Sequence, residues 1–300
     1  MRPYVIVFLG GRSNEREVSL VTGAAVEKAL IEAGYKVESI DVGKNMMSLI
    51  EGLSPKPDVV FNALHGRYGE DGCIQGLLNL MGIRYTHSGV LSSAAAFNKH
   101  VAKSIMAAAG INVAEHQIIS YDDFLNENVM PRPYVVKPLN EGSSVGIYIV
   151  QDGDVFEPKK KEWGFGNKLM IERFIPGREL TVTVMGDRPL AVTEVITERK
   201  FYDYDAKYIN GRSRHIIPAD IPKTIYDEAL RVSLLAHKSL ECRGLSRVDI
   251  RYDGTNIYVL EVNTQPGMTP TSLVPEQAAY LGISFNELVI WLVENATCDA

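Results

Sequence analysis

Short apolar runs alternate with amphipathic stretches in the first third of the chain. A continuous apolar run from Tyr4 to Leu9 ends at two glycines, which is typical of a buried parallel strand. A helical pattern follows from about residue 19 to 32, and further apolar runs at 37–42 and 59–64 indicate two more strands. This strand, helix, strand order predicts an open α/β unit with its loops at the strand ends.

The pattern changes near residue 95, where we place a domain boundary. An alanine-rich helix is predicted from 94 to 109, and a longer helix from about 222 to 242. Gly186-Asp187 is the predicted turn of a hairpin. A final amphipathic helix is predicted from 284 to about 294. The other predicted strands cover residues 115–120, 134–137, 147–150, 169–175, 180–185 and 190–196.

Two alternating apolar and polar runs near residue 255 flank the sequence Asp-Gly-Thr-Asn, which predicts a β-hairpin. With a three-residue loop at 254–256, Asp249 would lie opposite Glu261 and Arg247 opposite Asn263. These four side chains would share one face. The opposite, buried face would carry Val248, Ile250, Tyr252, Leu260 and Val262.

The polar face of this hairpin has two possible roles. Two carboxylates and an amide oxygen are ligands that Mg²⁺ prefers, and Arg247 beside them is suited to an anionic reactant. The same pattern fits a half-exposed hairpin with ordinary solvated charges. The run from Thr264 to Met268 favours the binding role, because it breaks the strand and can bring backbone donors close to a bound group.

Two loops of the first unit carry candidate chemistry. Glu15 follows the first strand and His65 follows the third, and open α/β sheets bind ligands at such strand ends. Each also fits a structural role, as an acidic residue at the start of a helix and as a loop histidine. The glycines after the first strand do not form G-x-G-x-x-G, which argues against dinucleotide binding.

Two later loops suggest phosphate chemistry and closure. The glycine- and serine-rich segment 138–146 joins two strands and lacks G-K-[ST], so it is not a Walker A loop. Such a hairpin loop can still fold over phosphates, and an ordinary mobile turn is the alternative. Segment 198–220 is long and rich in aromatic residues, which favours a lid over a solvated surface loop.

Composition narrows the class of protein. The chain has 300 residues, 46% of them hydrophobic, with a net charge of -6. These values exclude a disordered or fibrous chain and argue against non-specific binding to nucleic acid or anionic membranes. Cys73, Cys242 and Cys298 are too few and scattered for a disulfide framework or zinc site, and no apolar stretch approaches ~20 residues. We expect a soluble, cytoplasmic protein with no membrane or nucleic-acid partner.

Five separated motifs occur together in one order. They are G-G-R-S-N-E-R-E-V-S from Gly10, A-L-H-G-R-Y-G-E-D-G from Ala63, V-K-P-L-N-E-G-S-S-V-G from Val136, F-Y-D-Y-D-A-K-Y from Phe201, and R-V-D-I from Arg247 with L-E-V-N-T-Q-P-G-M following from Leu260. On these motifs the chain resembles the D-alanine:D-alanine ligases, which are ATP-grasp enzymes. The joint occurrence outweighs the structural alternatives given above for single residues.

The resemblance implies a fold and a domain division. An N-terminal open parallel α/β substrate domain would cover residues 1–94, and a central ATP-grasp subdomain with the glycine-rich loop would cover 95–179. A C-terminal ATP-grasp subdomain with the lid and magnesium site would cover 180–300. ATP would be held between antiparallel sheets, and the family is usually homodimeric.

The resemblance also implies a reaction. The family joins two D-alanines with ATP through an acyl phosphate, releasing ADP and phosphate, and so supplies peptidoglycan precursors. Two Mg²⁺ ions, which Mn²⁺ can replace, would be held by Asp249, Glu261 and Asn263. ATP would contact Lys99, Lys137, the loop residues Glu141, Ser143 and Ser144, the adenine-pocket residues Glu172, Arg173 and Ile175, and Glu179 at the ribose.

The substrate residues follow from the same resemblance. Glu15 would bind the ammonium group of the first D-alanine, with Ser143 and Tyr208 in its hydrogen-bonded network and His65 nearby. Arg247 and the Gly267 N–H would stabilise the oxyanion, and Lys207 would approach the transferred phosphate. Ser272 and Leu273 would receive the carboxylate of the second D-alanine.

The alternatives are another ATP-dependent carboxylate–amine or carboxylate–hydroxyl ligase, with the D-alanine:D-lactate enzymes first among them, and two different classes of protein. Relatives that form the D-alanyl-D-lactate ester tend to carry phenylalanine in place of Tyr208, so the tyrosine favours the amide product. A catalytically silent nucleotide-binding protein would not need all six of the polar residues Glu15, Lys137, Arg247, Asp249, Glu261 and Asn263. A structural or interaction protein would explain none of the motif order.

Overall fold

The computed structural model describes residues 2–43, 45–124, 129–142, 146–154, 166–197, 213–269 and 271–299. This part of the chain contains one parallel and two antiparallel sheets, with helices packed against them. The predicted fold class, an open parallel α/β unit followed by antiparallel sheets, is confirmed. Among the described residues, no helix combines the length and apolar character needed to cross a bilayer.

The first sheet is parallel and has the strand order β2-β1-β3-β4. Its central strand is apolar on both faces: Val5 and Val7 pack into one core cluster, and Ile6 and Phe8 pack into another. The strand predictions here are confirmed, whereas two short helices were not predicted. The elements are β1 (Tyr4–Leu9), α1 (Arg16–Glu32), β2 (Lys36–Asp41), α2 (Met46–Gly52), β3 (Val59–Asn62), α3 (Cys73–Leu80) and β4 (Arg84–Tyr85).

The single helix predicted at 94–109 is wrong, because the segment forms two helices. They are α4 (Val90–Phe97) and α5 (Lys99–Ala108). Asn98 between them has an extended backbone, with φ -90° and ψ 103°, which ends the first helix. Its side-chain oxygen accepts a hydrogen bond from the Val101 N–H at 3.1 Å, so the same residue caps the second helix. Lys99 therefore lies in a first helical turn.

The second sheet is antiparallel, in the order β5-β8-β6-β7. The glycine- and serine-rich segment joins β6 to β7, as predicted. The core of this second sheet includes Tyr121, Val136 and Ile171. The elements are β5 (His116–Ser120), α6 (Tyr121–Phe124), β6 (Tyr134–Lys137), β7 (Tyr148–Val150) and β8 (Lys168–Arg173).

The third sheet is antiparallel, in the order β11-β10-β9-β12-β13. Helix α7 covers one face, where Val182, Val248 and Ala236 share a core cluster. The last helix, α9, reaches the first sheet, since Leu288 packs in one cluster with Val5. The elements are β9 (Arg178–Met185), β10 (Arg188–Thr197), β11 (Ser213–Ile216), α7 (Lys223–Ser239), β12 (Leu245–Tyr252), β13 (Ile257–Asn263), α8 (Leu273–Tyr280) and α9 (Phe285–Glu294).

The C-terminal end of the chain is fixed to the first unit through Asp299. This carboxylate accepts hydrogen bonds from the Val90 N–H, the Asn79 amide and the Tyr85 hydroxyl, each at 3.0 Å, and it pairs with Arg243. Burial raises the pKa of Asp299, but these hydrogen bonds and the guanidinium charge outweigh burial and lower it to about 2.

The hairpin pairings predicted between β12 and β13 are confirmed. Asp249 lies opposite Glu261, and Arg247 lies opposite Asn263. The loop assumed in that prediction is wrong. Tyr252 pairs with Ile257, and the Asp253 N–H donates to the Asn256 carbonyl at 3.1 Å, so the turn itself is the two residues 254–255.

A β-bulge in β13 reconciles the tight turn with the confirmed pairings. Ile250 pairs with Val259 whereas Asp249 pairs with Glu261, so Leu260 is the extra residue. The prediction that Leu260 lies on the buried face is therefore wrong. Val259, which is only 1% exposed, takes the core position, and Leu260 lines a cleft beside Glu261.

Candidate active site

Four polar side chains meet on the cleft face of the hairpin. Arg247 donates from Nε and from its second terminal nitrogen to the two oxygens of Asp249, both at 2.8 Å, in a bidentate pair. Glu261 lies across the strand from Asp249, and Asn263 lies across from Arg247. The Thr181 hydroxyl on β9 donates to Asp249 Oδ1 at 2.8 Å. The carboxylate is therefore held by a side chain of its own strand and by one of the adjacent strand.

The donor set of this face fits a hard divalent cation. Asp249, Glu261 and Asn263 present carboxylate and amide oxygens, which are Mg²⁺ ligands, and a carboxylate has further lone pairs besides those used by arginine and threonine. No cluster of three or more His, Cys, Asp or Glu side chains suited to a metal occurs in the described ranges. The donor set on the hairpin is consistent with that finding, because it has only two carboxylates and its third member is the amide of Asn263.

Residues from the start of the chain meet the hairpin in one cleft of about 550 Å³, here called the central cleft. Its lining contains Glu15, Glu70, Lys99, Glu141, Gly142, Arg247, Glu261 and Asn263. Glu15 occupies the N-cap position of α1, but its side chain makes no capping hydrogen bond. Capping by this side chain is thus excluded, and the residue, only 7% exposed, lines the cleft.

Two glycines allow the close approach of Glu15. A Cβ built on Gly66 would lie 2.6 Å from Glu15 Oε2, and one built on Gly142 would lie 2.8 Å from it. Gly66 also has φ +69°, a conformation that side chains disfavour. The loop after β3 and the loop after β6 are therefore both packed against this carboxylate, which connects the first and second sheets at the cleft.

His65 is buried beside the central cleft. Its Nε2 lies 3.1 Å from the Thr22 hydroxyl, and its Nδ1 lies 3.2 Å from Glu70 Oε1. The Ser13 hydroxyl donates to the His65 carbonyl at 2.6 Å and accepts from the Glu15 N–H at 3.1 Å. The structure thus brings Glu15 and His65 together as predicted. Sequence reasoning missed Glu70, although it lies five residues after His65.

Gln265 connects the hairpin to the first sheet. Its Oε1 accepts from the Asn62 amide at 2.7 Å, its Nε2 donates to the Leu64 carbonyl, and its backbone N–H donates to Asn263 Oδ1 at 2.8 Å. The residue is 2% exposed. The end of β3 and the amide donor of the hairpin are therefore held together by one buried side chain and its own backbone.

A second cleft, here called the apolar cleft, lies between the second and third sheets and has a volume of about 710 Å³. The predicted adenine residues Glu172, Arg173 and Ile175 line it, together with Glu179, the predicted ribose residue. Lys137 also lines it. The remaining lining is mainly apolar and includes Val135, Ile147, Ile149, Phe174, Leu260, Asp249 and Glu261.

Glu261 lines both clefts, so the hairpin carboxylates lie where the two meet. Lys99 reaches this junction from α5. Its Nζ is 3.4 Å from Glu261 Oε2 and donates to the Glu141 carbonyl at 2.5 Å. Cations and metal-type oxygens therefore lie between a largely apolar cleft and a polar one, an arrangement suited to the phosphate chain of a nucleotide.

A buried lysine, Lys103, was missed by sequence reasoning. Its Nζ lies 2.6 Å from Glu172 Oε2, while Lys137 Nζ lies 2.7 Å from Glu172 Oε1. Burial raises the pKa of Glu172, but the charges of Lys103 and Lys137 outweigh burial and hold it below its ordinary value. The available signal was helical spacing, since Lys103 follows Lys99 by four residues on α5.

The remaining predicted residues lie after the hairpin or outside the described ranges. Ser272 is the N-cap of α8, and its hydroxyl accepts from the Thr269 N–H at 3.0 Å. A Cβ on Gly267 would lie 3.1 Å from that hydroxyl, and Leu273 is buried against Val195. The predicted residues Ser143, Ser144, Lys207 and Tyr208 lie outside the described residues, as does segment 198–212 of the predicted lid.

Comparison with known proteins assigns the family. The family model "D-ala D-ala ligase C-terminus" matches residues 105–294, and "D-ala D-ala ligase N-terminus" matches 48–88. D-alanine–D-alanine ligases of Rhodospirillum rubrum and Paramagnetospirillum magneticum are 55% and 54% identical, each over 100% of both chains. A crystal structure of the Bacillus anthracis D-alanine–D-alanine ligase complexed with ATP superposes with a TM-score of 0.82 at 30% identity, covering 98% of this chain and 97% of that one. The chain therefore belongs to the D-alanine–D-alanine ligase family of ATP-grasp enzymes.

Proposed function

We propose that this protein joins two D-alanines into D-alanyl-D-alanine and converts ATP to ADP and phosphate through an acyl-phosphate intermediate. The observation that carries the proposal is the convergence of Glu15 with Arg247, Glu261 and Asn263 in the central cleft, next to the apolar cleft. An ammonium-binding carboxylate, an oxyanion-binding cation and metal-type oxygens are the groups that this reaction needs.

The apolar cleft would hold the nucleotide. Its apolar walls suit the adenine ring. Glu172, Arg173 and Ile175 on its lining would contact the base, and Glu179 would bind the ribose. The phosphates would extend toward the junction of the clefts, where Lys99 and Lys137 lie. Glu141, Ser143 and Ser144 would close over them by analogy with the family.

Asp249, Glu261 and Asn263 would hold two Mg²⁺ ions, which Mn²⁺ can replace. The ions would neutralise charge on the phosphate oxygens and hold the nucleotide in line for transfer. The bidentate pair between Arg247 and Asp249 keeps the carboxylate in place before any ion binds. Lys99 beside Glu261 balances one negative charge of this donor set.

The first D-alanine would bind with its ammonium group at Glu15 and its carboxylate directed to the phosphates. A carboxylate oxygen attacks the γ-phosphorus of ATP, ADP leaves, and an acyl phosphate forms. The amine of the second D-alanine, whose carboxylate would be held by Ser272 and Leu273, then attacks the acyl carbon. The amine loses a proton, phosphate leaves, and the amide bond is complete.

Arg247 and the Gly267 N–H would stabilise the oxyanion that forms during this second attack. Ser143 and Tyr208 would complete the network at Glu15, and Lys207 would approach the transferred phosphate, by analogy with the family. Exclusion of water by the lid would protect the acyl phosphate from hydrolysis. His65 supports the loop that carries Glu15, because its carbonyl accepts from the Ser13 hydroxyl, and Glu70 contacts the His65 imidazole.

The wider assignments follow the family as well. We propose a cytoplasmic homodimer that supplies peptidoglycan precursors and acts on small molecules only. The three-part division at residues 1–94, 95–179 and 180–300 belongs to the same proposal. It is supported by the three separate sheets, although α9 from the last part packs on the first sheet.

The test measures ADP release with ATP, Mg²⁺ and either D-alanine, L-alanine or D-alanine plus D-lactate, followed by mass analysis of the product. We expect release that depends on D-alanine and yields the dipeptide. A product containing D-lactate would assign the ester-forming activity instead. ATP binding without turnover on any of these substrates would contradict the substrate assignment.

A further inference from the structure

We propose that Lys103 is a positioning residue of the nucleotide site, which neutralises Glu172 so that Lys137 is available to the phosphates. This inference rests on the proposed function, because it assumes that Lys137 contacts ATP. Lys103 itself is fully buried and lines neither cleft, so it would act only through Glu172.

The geometry places one carboxylate between two ammonium groups. Glu172 is 3% exposed, and each of its oxygens lies within 2.7 Å of a different lysine nitrogen. Lys103 reaches it from α5, while Lys137 reaches it from the end of β6. Lys137 and Glu172 line the apolar cleft, so of the two lysines only Lys137 is placed to exchange its contact with Glu172 for a ligand.

The charges of the three groups give Lys103 its role. With both lysines protonated, the two lysines and Glu172 carry one net positive charge. Burial lowers the pKa of Lys103, and the charge of Glu172, whose Oε2 lies 2.6 Å from its Nζ, opposes that shift and favours the ammonium form. If Lys103 were neutral, Glu172 and Lys137 would form a neutral buried pair. Moving Lys137 to a phosphate would then separate that pair and leave a buried carboxylate without a counter-ion, which is strongly unfavourable. With Lys103 in place, Glu172 keeps a counter-ion throughout, and the positive charge of Lys137 is available to the nucleotide.

A purely structural role is the competing explanation. The ion pair also joins α5 to β8, so its loss could distort the whole apolar cleft. The two explanations differ in which part of the nucleotide is affected. Distortion would weaken adenosine and ATP alike. Capture of Lys137 by Glu172 would weaken ATP and leave adenosine, which has no phosphate, nearly unchanged.

The experiment compares the Kd values of ATP and adenosine by calorimetry in the full-length protein and its Lys103→Met variant. We expect the Kd of ATP to rise by about 10–100-fold, since Lys137 must leave an otherwise uncompensated carboxylate. The Kd of adenosine should change less than about threefold. Lys223→Met serves as the control, because it removes an exposed lysine that also contacts a carboxylate, Asp227, at 2.8 Å.

A second pair of variants tests whether Lys103 acts through Glu172. In a Glu172→Gln background there is no carboxylate to capture Lys137, so adding Lys103→Met should change the ratio of the ATP and adenosine Kd values less than about threefold. This comparison also serves if Lys103→Met alone does not fold, because Glu172→Gln removes the buried carboxylate, and a buried lysine left without it can lose its proton. Thermal unfolding confirms that each variant is folded.

Two results would overturn the inference. The first is a parallel loss of ATP and adenosine binding in Lys103→Met, which would assign a structural role. The second is a rise of more than about threefold in the ratio of the ATP Kd to the adenosine Kd on adding Lys103→Met to Glu172→Gln, which would show that Lys103 acts independently of Glu172. Failure of the unaltered protein to bind ATP would instead contradict the proposed function, so the two failures are distinguishable.

Discussion

Gln277 is expected to be one of the most sensitive polar positions for stability. It lies on α8 and is fully buried against the third sheet. The β9–β10 pairing shifts register opposite Thr183, and the Thr183 N–H donates instead to Gln277 Oε1 at 2.8 Å. The Gln277 amide nitrogen donates to the Thr181 carbonyl at 3.1 Å. One side chain thus takes the place of a strand partner for the Thr183 N–H and also bonds the Thr181 carbonyl.

The expected loss of stability in Gln277→Leu follows from the two backbone groups that lose their hydrogen bond to the glutamine side chain. The Thr183 N–H and Thr181 carbonyl lie in a region where both residues are at most 2% exposed. Leaving a buried polar group unpaired costs about 1–3 kcal/mol, and the leucine side chain recovers part of this through apolar burial. We therefore expect the free energy of unfolding to fall by about 2–4 kcal/mol.

Gln75→Leu is the matched control. Gln75 is 1% exposed and donates to the Gly69 carbonyl at 2.8 Å. That carbonyl also accepts from the Asn62 amide at 3.0 Å, so it stays paired in the variant. Gln75 Oε1 is buried and has no hydrogen-bond partner among the described residues. Removing an unpaired oxygen offsets the loss of one redundant bond, and we expect a change below about 1 kcal/mol.

Urea unfolding followed by far-UV circular dichroism measures both variants under one condition. The midpoint should fall clearly for Gln277→Leu and hardly at all for Gln75→Leu, with similar denaturant dependence. Equal shifts would refute the reasoning, because both changes are glutamine to leucine at a fully buried site. The difference between the two midpoint shifts measures what the hydrogen bonds from Gln277 to the backbone of β9 contribute to stability.

Three further predictions concern the site and the C-terminal end. Arg247→Lys keeps the charge but loses two parallel hydrogen bonds to a carboxylate, so kcat for D-alanine-dependent ADP release should fall about 10²-fold or more. Gly66→Ala displaces Glu15, so KM for D-alanine should rise about tenfold or more, whereas Gly110→Ala, also at positive φ but with open space around it, should leave KM unchanged. The pKa of Asp299 falls from an ordinary 3.8 to about 2, so its ionised form contributes stability above the unfolded pKa, and this is lost as pH falls through about 2. Asp299→Asn should thus be about 2 kcal/mol less stable at pH 7 in urea titrations, with the difference shrinking below pH 4.

Strands β1 and β3 of the first sheet were predictable because burial on both faces leaves a continuous apolar run, as in Val5 to Phe8, whereas the short strand β4 was not predicted. Helix α3 was missed because its N-cap is Gly72 in a left-handed conformation, with φ 91°, and the side chain that accepts from its first N–H is Asp71, one residue before the N-cap. The break at Asn98 was missed because the flanking alanine-rich sequence favours a helix on both sides. Local propensity does not decide where one helix ends and the next begins.

The site was predictable where its residues lie on one element or follow strand ends, as with Asp249 and Glu261 or Glu15 and His65. Helical spacing places Lys103 on the same face as Lys99, but it does not indicate the partner, Glu172, and Gln265 could not be predicted because its partners are distant in sequence. Gln265 contacts Asn62, which is 203 residues away. A single sequence carries no local signal for such a contact.

The bulge in β13 explains how a wrong loop led to the right pairing. In β13, Ile257 and Val259 face the core, so strict alternation from the two-residue turn would also direct Glu261 into the core. Leu260 is the extra residue that reverses this alternation, after which Glu261 faces the cleft and Val262 faces the core. The assumed three-residue loop added its extra residue at the turn, whereas the protein adds it beside Asp249. The cleft position of Glu261 therefore depends on the bulge rather than on the turn.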